Sequence, residues 1–78
     1  MPGLNRYRNR TGHSGVTAYA TGLDFILVRF AKGGTYEYTF ASTGRMHVQN
    51  MQRLAKAGIG LSTYISRFVR DRYSRKLD

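Results

Sequence analysis

Few side chains in these 78 residues could do acid–base, metal or nucleophilic chemistry. The acids are Asp24, Glu37, Asp71 and Asp78. Catalysis by paired carboxylates needs two of them converging on a substrate, one giving a proton and one taking it. Asp24 falls in a turn pattern, Glu37 lies across a predicted hairpin from Arg29, and Asp71 is one helical turn from both Arg67 and Arg75. Each has an ordinary structural use. The histidines are His13 and His47, and cysteine is absent, so no set of metal ligands stands at a useful spacing. His13 belongs to an N-terminal arm. His47 sits at the margin of a helix's apolar stripe, where half-burial explains it. Serine and threonine hydroxyls fall at caps, turns and strand faces, away from a base that would activate them. Gly33-Gly34 and Gly58-Ile59-Gly60 lack the lysine spacing of a phosphate loop. No catalytic residue, cofactor or metal is expected.

Positive charge is what the chain holds in quantity: 13 Lys and Arg against four acids, a net +9. Its distribution is more useful than its size. Residues 1–14 carry +3, residues 15–41 are neutral, and residues 42–78 carry +6. Binding a polyanion needs several cations on one continuous surface. Arg45, Arg53 and Lys56 share a predicted helix face, Arg67 and Arg70 share another, and Arg72, Arg75 and Lys76 cluster at its end. Arg6, Arg8 and Arg10 alternate around Tyr7, a ring able to stack on a base. A solvated basic surface is the plainer reading. Eight bases against two acids beyond Ala41 exceed what solubility requires. With no base-reading motif, contacts should go mostly to phosphates and carry little sequence information.

The elements that must position these cations follow from size and pattern. A chain this short forms one domain with a modest core. Disulfides and thiolate metal sites cannot supplement that core. No apolar run approaches the roughly 18 residues that span a bilayer. No apolar segment of signal-peptide type follows the first basic residues, so a cytoplasmic setting without membrane contact is expected.

Residues 1–14 show no periodicity and read as a flexible basic arm. Three strands follow, at 15–20, 25–30 and 35–40, separated by turns at 21–24 and 31–34. Ile26, Val28 and Phe30 share a face with Tyr36, Tyr38 and Phe40 if Phe30 pairs with Tyr36. The loop is then Lys32-Gly33-Gly34, and Arg29 faces Glu37 as a cross-strand ion pair. Phe25 and Leu27 fall on the outer face and need a cover. After Phe40 the period becomes helical. Ser42 or Thr43 caps a helix to about Ala57, with Val48, Met51, Leu54 and Ala55 on its apolar stripe and Gly58 ending it. Ser62 or Thr63 opens a second helix to about Lys76, with Leu61, Tyr64, Ile65, Phe68 and Val69 buried. Its last turns lack apolar positions and should project past the core.

In order and spacing, several of these residues resemble the KTSC domain, a small module found at the C-terminus of some lysyl-tRNA synthetases. The likeness rests on Tyr19, Ile26-Leu27-Val28-Arg29-Phe30, Gly33-Gly34, Tyr36-Glu37-Tyr38, Tyr64 and Val69-Arg70-Asp71-Arg72-Tyr73. It implies a compact strand-then-helix domain and carries no established activity. The synthetase context makes an RNA partner thinkable by analogy.

The expected protein is therefore α+β: a three-stranded antiparallel meander, then two helices packed on the sheet, with a basic arm at 1–14 and the domain at 15–78. The expected role is a non-catalytic module binding RNA or DNA phosphates through Arg6, Arg8, Arg10, Arg45, Arg53, Lys56, Arg67, Arg70, Arg72, Arg75 and Lys76. The first alternative is a protein-interaction or homodimeric module, or an adaptor to an acidic protein, motivated by Phe25 and Leu27. A more distant one is a small toxin-like ribonuclease using Tyr73, Arg72 and His47.

Overall fold

The structure, a computed structural model, describes residues 3–10, 12 and 14–77. It is an α+β fold with a five-stranded antiparallel sheet and helices. The expected meander is its centre: β2 (Val16–Thr21), β3 (Phe25–Phe30) and β4 (Gly34–Thr39). Two short strands extend it, β1 (Asn5–Arg6) beside β2 and β5 (Arg75–Lys76) beside β4. The strands lie in chain order from β1 to β5.

The strand register corrects the expected hairpin. Phe30 pairs with Gly34 rather than Tyr36, so Val28 faces Tyr36 and Ile26 faces Tyr38. Gly34 takes the positive φ, 84°, and the connection is Ala31-Lys32-Gly33. A two-residue shift preserves which face each side chain occupies, because side chains alternate with period two. It does change the partners. Arg29 stands opposite Thr35, and its Nε donates to Thr35 Oγ1 at 3.1 Å. Glu37 instead receives Arg75 from β5, Nε to Oε1 at 3.0 Å.

One sheet face is covered by helices. A short helix α1 (Phe40–Thr43) begins at Thr39, whose side chain caps it reciprocally with Ser42. Gly44, at φ 107°, separates it from α2 (Arg45–Ala57). The helix expected from Ser42 or Thr43 is thus broken once, and it ends at Gly58 as expected. Val48, Met51 and Ala55 are buried against Ile26, Val28 and Tyr38, and Leu54 is half-buried. Gln52 turns toward the sheet and donates to the carbonyls of Gly22 and Phe25 at 3.0 and 2.9 Å.

The last helix is shorter than its expected end at Lys76. One α turn, α3 (Leu61–Tyr64), runs into a π segment (Ile65–Val69), and Leu61, Ile65 and Val69 are buried. Phe68, expected in the core, is 53% exposed. Arg70, at φ 42°, turns the chain back. The peptide groups beyond it pair with β4: Ser74 N–H donates to Glu37 O and Leu77 N–H to Thr35 O. An open sheet edge offers unpaired donors and acceptors, and this return satisfies them. Arg72, Arg75 and Lys76 lacked an apolar stripe because they are not helical.

Within the arm expected at 1–14, residues 5–7 are built into the fold. Asn5 pairs with Tyr19 and Arg6 with Ala18. Tyr7 is 3% exposed and belongs to the core. Its hydroxyl accepts from Leu61 N–H at the start of α3, at 3.2 Å.

The sheet face away from the helices carries Ala18, Leu27, Arg29, Thr35 and Glu37, by register. Leu27 is only 4% exposed there, in a depression shared with Leu4, Arg6 and Arg29. Phe25 is half-buried, lying where a side chain at Gly22 would be. Among the described residues no helix is long and apolar enough to cross a membrane.

Candidate functional site

The cations expected to form one surface are spread over several. Arg6 and Arg75 lie on the sheet face away from the helices, and Arg75 is held by Glu37. Arg45 lies over the Phe40 ring, 5.6 Å from its centroid. Arg67 and Arg72 are exposed. Arg53 donates to Asn50 Oδ1 at 2.6 Å.

Folding does gather one group from distant parts of the chain. Arg10 N–H donates to Gly58 O at 2.8 Å, and Arg8 packs where a side chain at Gly58 would stand. Both arginines therefore sit at the C-terminal end of α2, two residues beyond exposed Lys56. Carbonyl groups at a helix C-terminus favour such cations. Among the described residues, none of the three meets a carboxylate in an ion pair. Tyr7, expected to stack on a base beside them, is committed to the core instead.

A second feature has no counterpart in the expected site. Beside the β3–β4 turn lies a groove of about 610 Å³, within the ~300–1,000 Å³ usual for ligand pockets. Rings form much of its wall. Phe30 meets Tyr36 edge-on at 5.8 Å, and Tyr36 meets Tyr73 at 4.6 Å, tilted by 59°. Tyr73 also touches buried Tyr38 edge-on at 6.2 Å. Gly15, Ala31 and Gly33 leave the space between these rings open. Lys32, Arg70 and Asp71 line the same groove, and Lys76 Nζ stands 5.8 Å from the Tyr36 centroid. Lys76 and Arg70 were expected among phosphate-binding cations, but not beside aromatic rings. The groove unites residues up to 58 positions apart in the sequence, from Gly15 to Tyr73.

Tyr38 anchors this wall. Burial pushes its phenol up to about 12, and the neighbouring Tyr36 and Tyr73 add to the rise. An unfolded tyrosine ionises near 10. Between these values the unfolded chain has lost a proton that the native state keeps, so stability falls with rising pH. The contribution is complete below about pH 10 and is lost as pH climbs through about 12. Equilibrium urea unfolding across this window should show the decline, and Tyr38→Phe should flatten it. An unchanged slope in Tyr38→Phe would assign the alkaline loss to other groups.

The chemistry-bearing residues outside the groove are held separately. His47 Nδ1 lies 2.7 Å from Tyr64 Oη, and Asn50 Nδ2 donates to that oxygen at 3.1 Å. The His47 ring also stacks on Phe68 at 6.3 Å. Tyr64, read from the sequence as an apolar stripe residue, is thus the polar link between α2 and α3. Arg72 gives its carbonyl to Thr43 Oγ1 at 2.8 Å. Among the described residues, no hydrogen bond or ring contact joins His47 to Tyr73 or Arg72. No group of three or more His, Cys, Asp or Glu among them could hold a metal ion. His13 lies outside the described residues.

The fold and these two features define a small two-layer α+β domain with a basic helix end and an aromatic groove. No protein-family model matches the chain, and no curated protein or solved structure gives a significant match.

Proposed function

We propose that this chain is a small non-catalytic module that binds nucleic acid through phosphate contacts, with little direct reading of sequence. The observation that carries it is the packing of the segment bearing Arg8 and Arg10 against Gly58, at the end of a helix whose last turn bears Lys56. Composition makes positive charge common in this chain; it does not require an N-terminal segment with two arginines to be bonded to the end of a helix that carries a lysine in its last turn. Released counterions then supply affinity, and salt opposes it. A cytoplasmic setting belongs to the same proposal, as does the KTSC likeness, which adds an RNA partner by analogy alone.

Fluorescence anisotropy with a labelled oligonucleotide at stepped salt tests the reading. If about four cations engage phosphates, log K should fall against log salt with a slope of about −3 on a single strand. Replacing Arg8, Arg10 and Lys56 together by glutamine should flatten that slope by about 2. A flat salt response, or no binding at low salt, overturns the proposal. The protein-interaction alternative rests on Phe25 and Leu27; with Leu27 4% exposed and Phe25 half-buried, these two residues support it less than the cations support the nucleic-acid reading.

A further inference from the structure

We infer that the aromatic groove is a site for an unpaired base of a single-stranded nucleic acid, an inference that rests on the phosphate-binding reading above. Phe30, Tyr36 and Tyr73 present ring surface in a space the chain leaves unfilled. A nucleobase is a flat apolar plate, and it stacks on such rings whatever its identity. The groove also suits the charge that accompanies the base. Lys32 and Arg70 line it, and Lys76 stands over Tyr36. A nucleotide joins a plate to an anion within one residue, and this is the combination the groove matches. Asp71 is the one acid on the lining among the described residues, so the strand's phosphates should run along the lysine side, away from it. A duplex keeps its bases stacked inside and can offer the groove only phosphates.

The local backbone supports a built feature rather than an accidental gap. Arg70 holds φ 42°, a region that non-glycine residues rarely occupy, and such strain tends to collect at binding sites. Its Nε donates to Ser66 O at 3.3 Å, which fixes the side chain at the rim. Tyr73 is held against both Tyr36 and Tyr38 while remaining 37% exposed.

The test compares a short single-stranded RNA, the DNA of the same sequence, their duplexes and base-free polyphosphate at one low salt concentration. The single strands should bind more tightly than duplex or polyphosphate. Tyr73→Ala should weaken single-strand binding by roughly five- to 150-fold and leave duplex and polyphosphate unchanged. Tyr73→Ala could also disturb the return of the chain to β4. Gly15→Leu guards against this, because Gly15 lines the groove and a Cβ there meets nothing within 4 Å, so bulk is added at the wall without removing a contact. It should reproduce the selective loss. Equal losses on RNA and DNA assign the contact to the base face; a larger loss on RNA adds the 2′-hydroxyl to it. If both variants keep single-strand affinity while all polyanions still bind, the groove assignment is wrong and the phosphate reading stands. If no polyanion binds the native protein, both fall. Tighter binding of an acidic, tyrosine-rich peptide than of any single strand would give the groove to a protein partner and overturn the inference.

Discussion

Tyr7→Ala should remove about 3–5 kcal/mol of folding stability, the usual loss for truncating a buried aromatic ring. A domain of 78 residues has roughly 4–12 kcal/mol to lose. The variant should therefore lose from about a quarter to all of its stability, as urea titration followed by circular dichroism would show. The size of the effect follows from where the ring lies. Tyr7 is 3% exposed, and it joins the β1 end of the sheet to the start of α3 through the bond from Leu61 N–H. Tyr7→Phe separates the two contributions. It keeps the ring and removes the acceptor, leaving a buried N–H unpaired at about 1–3 kcal/mol. The expected order of stability is native, then Phe, then Ala. Stability of Tyr7→Ala within about 0.5 kcal/mol of native, the range of ordinary surface changes, would mean that residues 3–10 are a detached arm after all.

The reason composition suggested such an arm is instructive. Tyr7 is flanked by Arg6 and Arg8, and nothing nearby repeats with the period of a strand or helix. A two-residue strand has no period to detect. Its identity comes from β2, which offers Tyr19 and Ala18 as partners across a sequence gap. The same holds for β5, where Arg75 and Lys76 read as the end of a helix until β4 claims them. By contrast, the meander and the stripe of α2 were legible because six-residue strands and a 13-residue helix are long enough to show a period in the sequence. The hairpin register fell between these cases. Face assignments depend on parity and were readable, but the Arg29 and Glu37 partners depend on which glycine takes positive φ. Gly33 and Gly34 are equally able to do so, and the structure uses Gly34.

The candidate sites divide in the same way. That cations dominate the chain was plain from counting. That Arg8 and Arg10 meet the end of α2 depends on β1, and so was hidden with it. The groove was less visible still. Tyr36 and Tyr73 are 37 positions apart, and each has a sufficient local reading, one as a strand residue and one as a helix residue. Only the return of the chain after Arg70 brings the rings together. The signal available beforehand was the failure of the apolar stripe after Val69, which pointed away from a continuing helix without saying where the chain goes.

Gly58→Ala should cost about 2–4 kcal/mol by urea titration. Gly58 closes α2 at φ 75°, with its N–H donating to Leu54 O and Ala55 O. A left-handed residue with a Cβ costs roughly 1–2 kcal/mol by itself. The second contribution is contact. The new Cβ would stand 2.6 Å from Arg8 Cβ and 3.4 Å from Arg8 Cα. Those atoms are tied to the backbone that follows β1, so they cannot swing aside as the tip of a side chain would. Relieving the overlap means prising residues 8–10 from the helix end, against the Arg10–Gly58 bond. Gly60→Ala supplies the control, with a similar φ of 81° and only an ordinary 3.7 Å contact to Leu54. It should lose about 1–2 kcal/mol. Arg8→Gly in the Gly58→Ala background removes the opposing Cβ and should restore part of the difference, as a coupling between the two positions. Equal losses at Gly58 and Gly60, with no coupling to Arg8, would show that the segment carrying Arg8 and Arg10 does not press on the end of α2. The basic cluster on which the phosphate reading depends would then lose its geometry, so this stability measurement also bears on function.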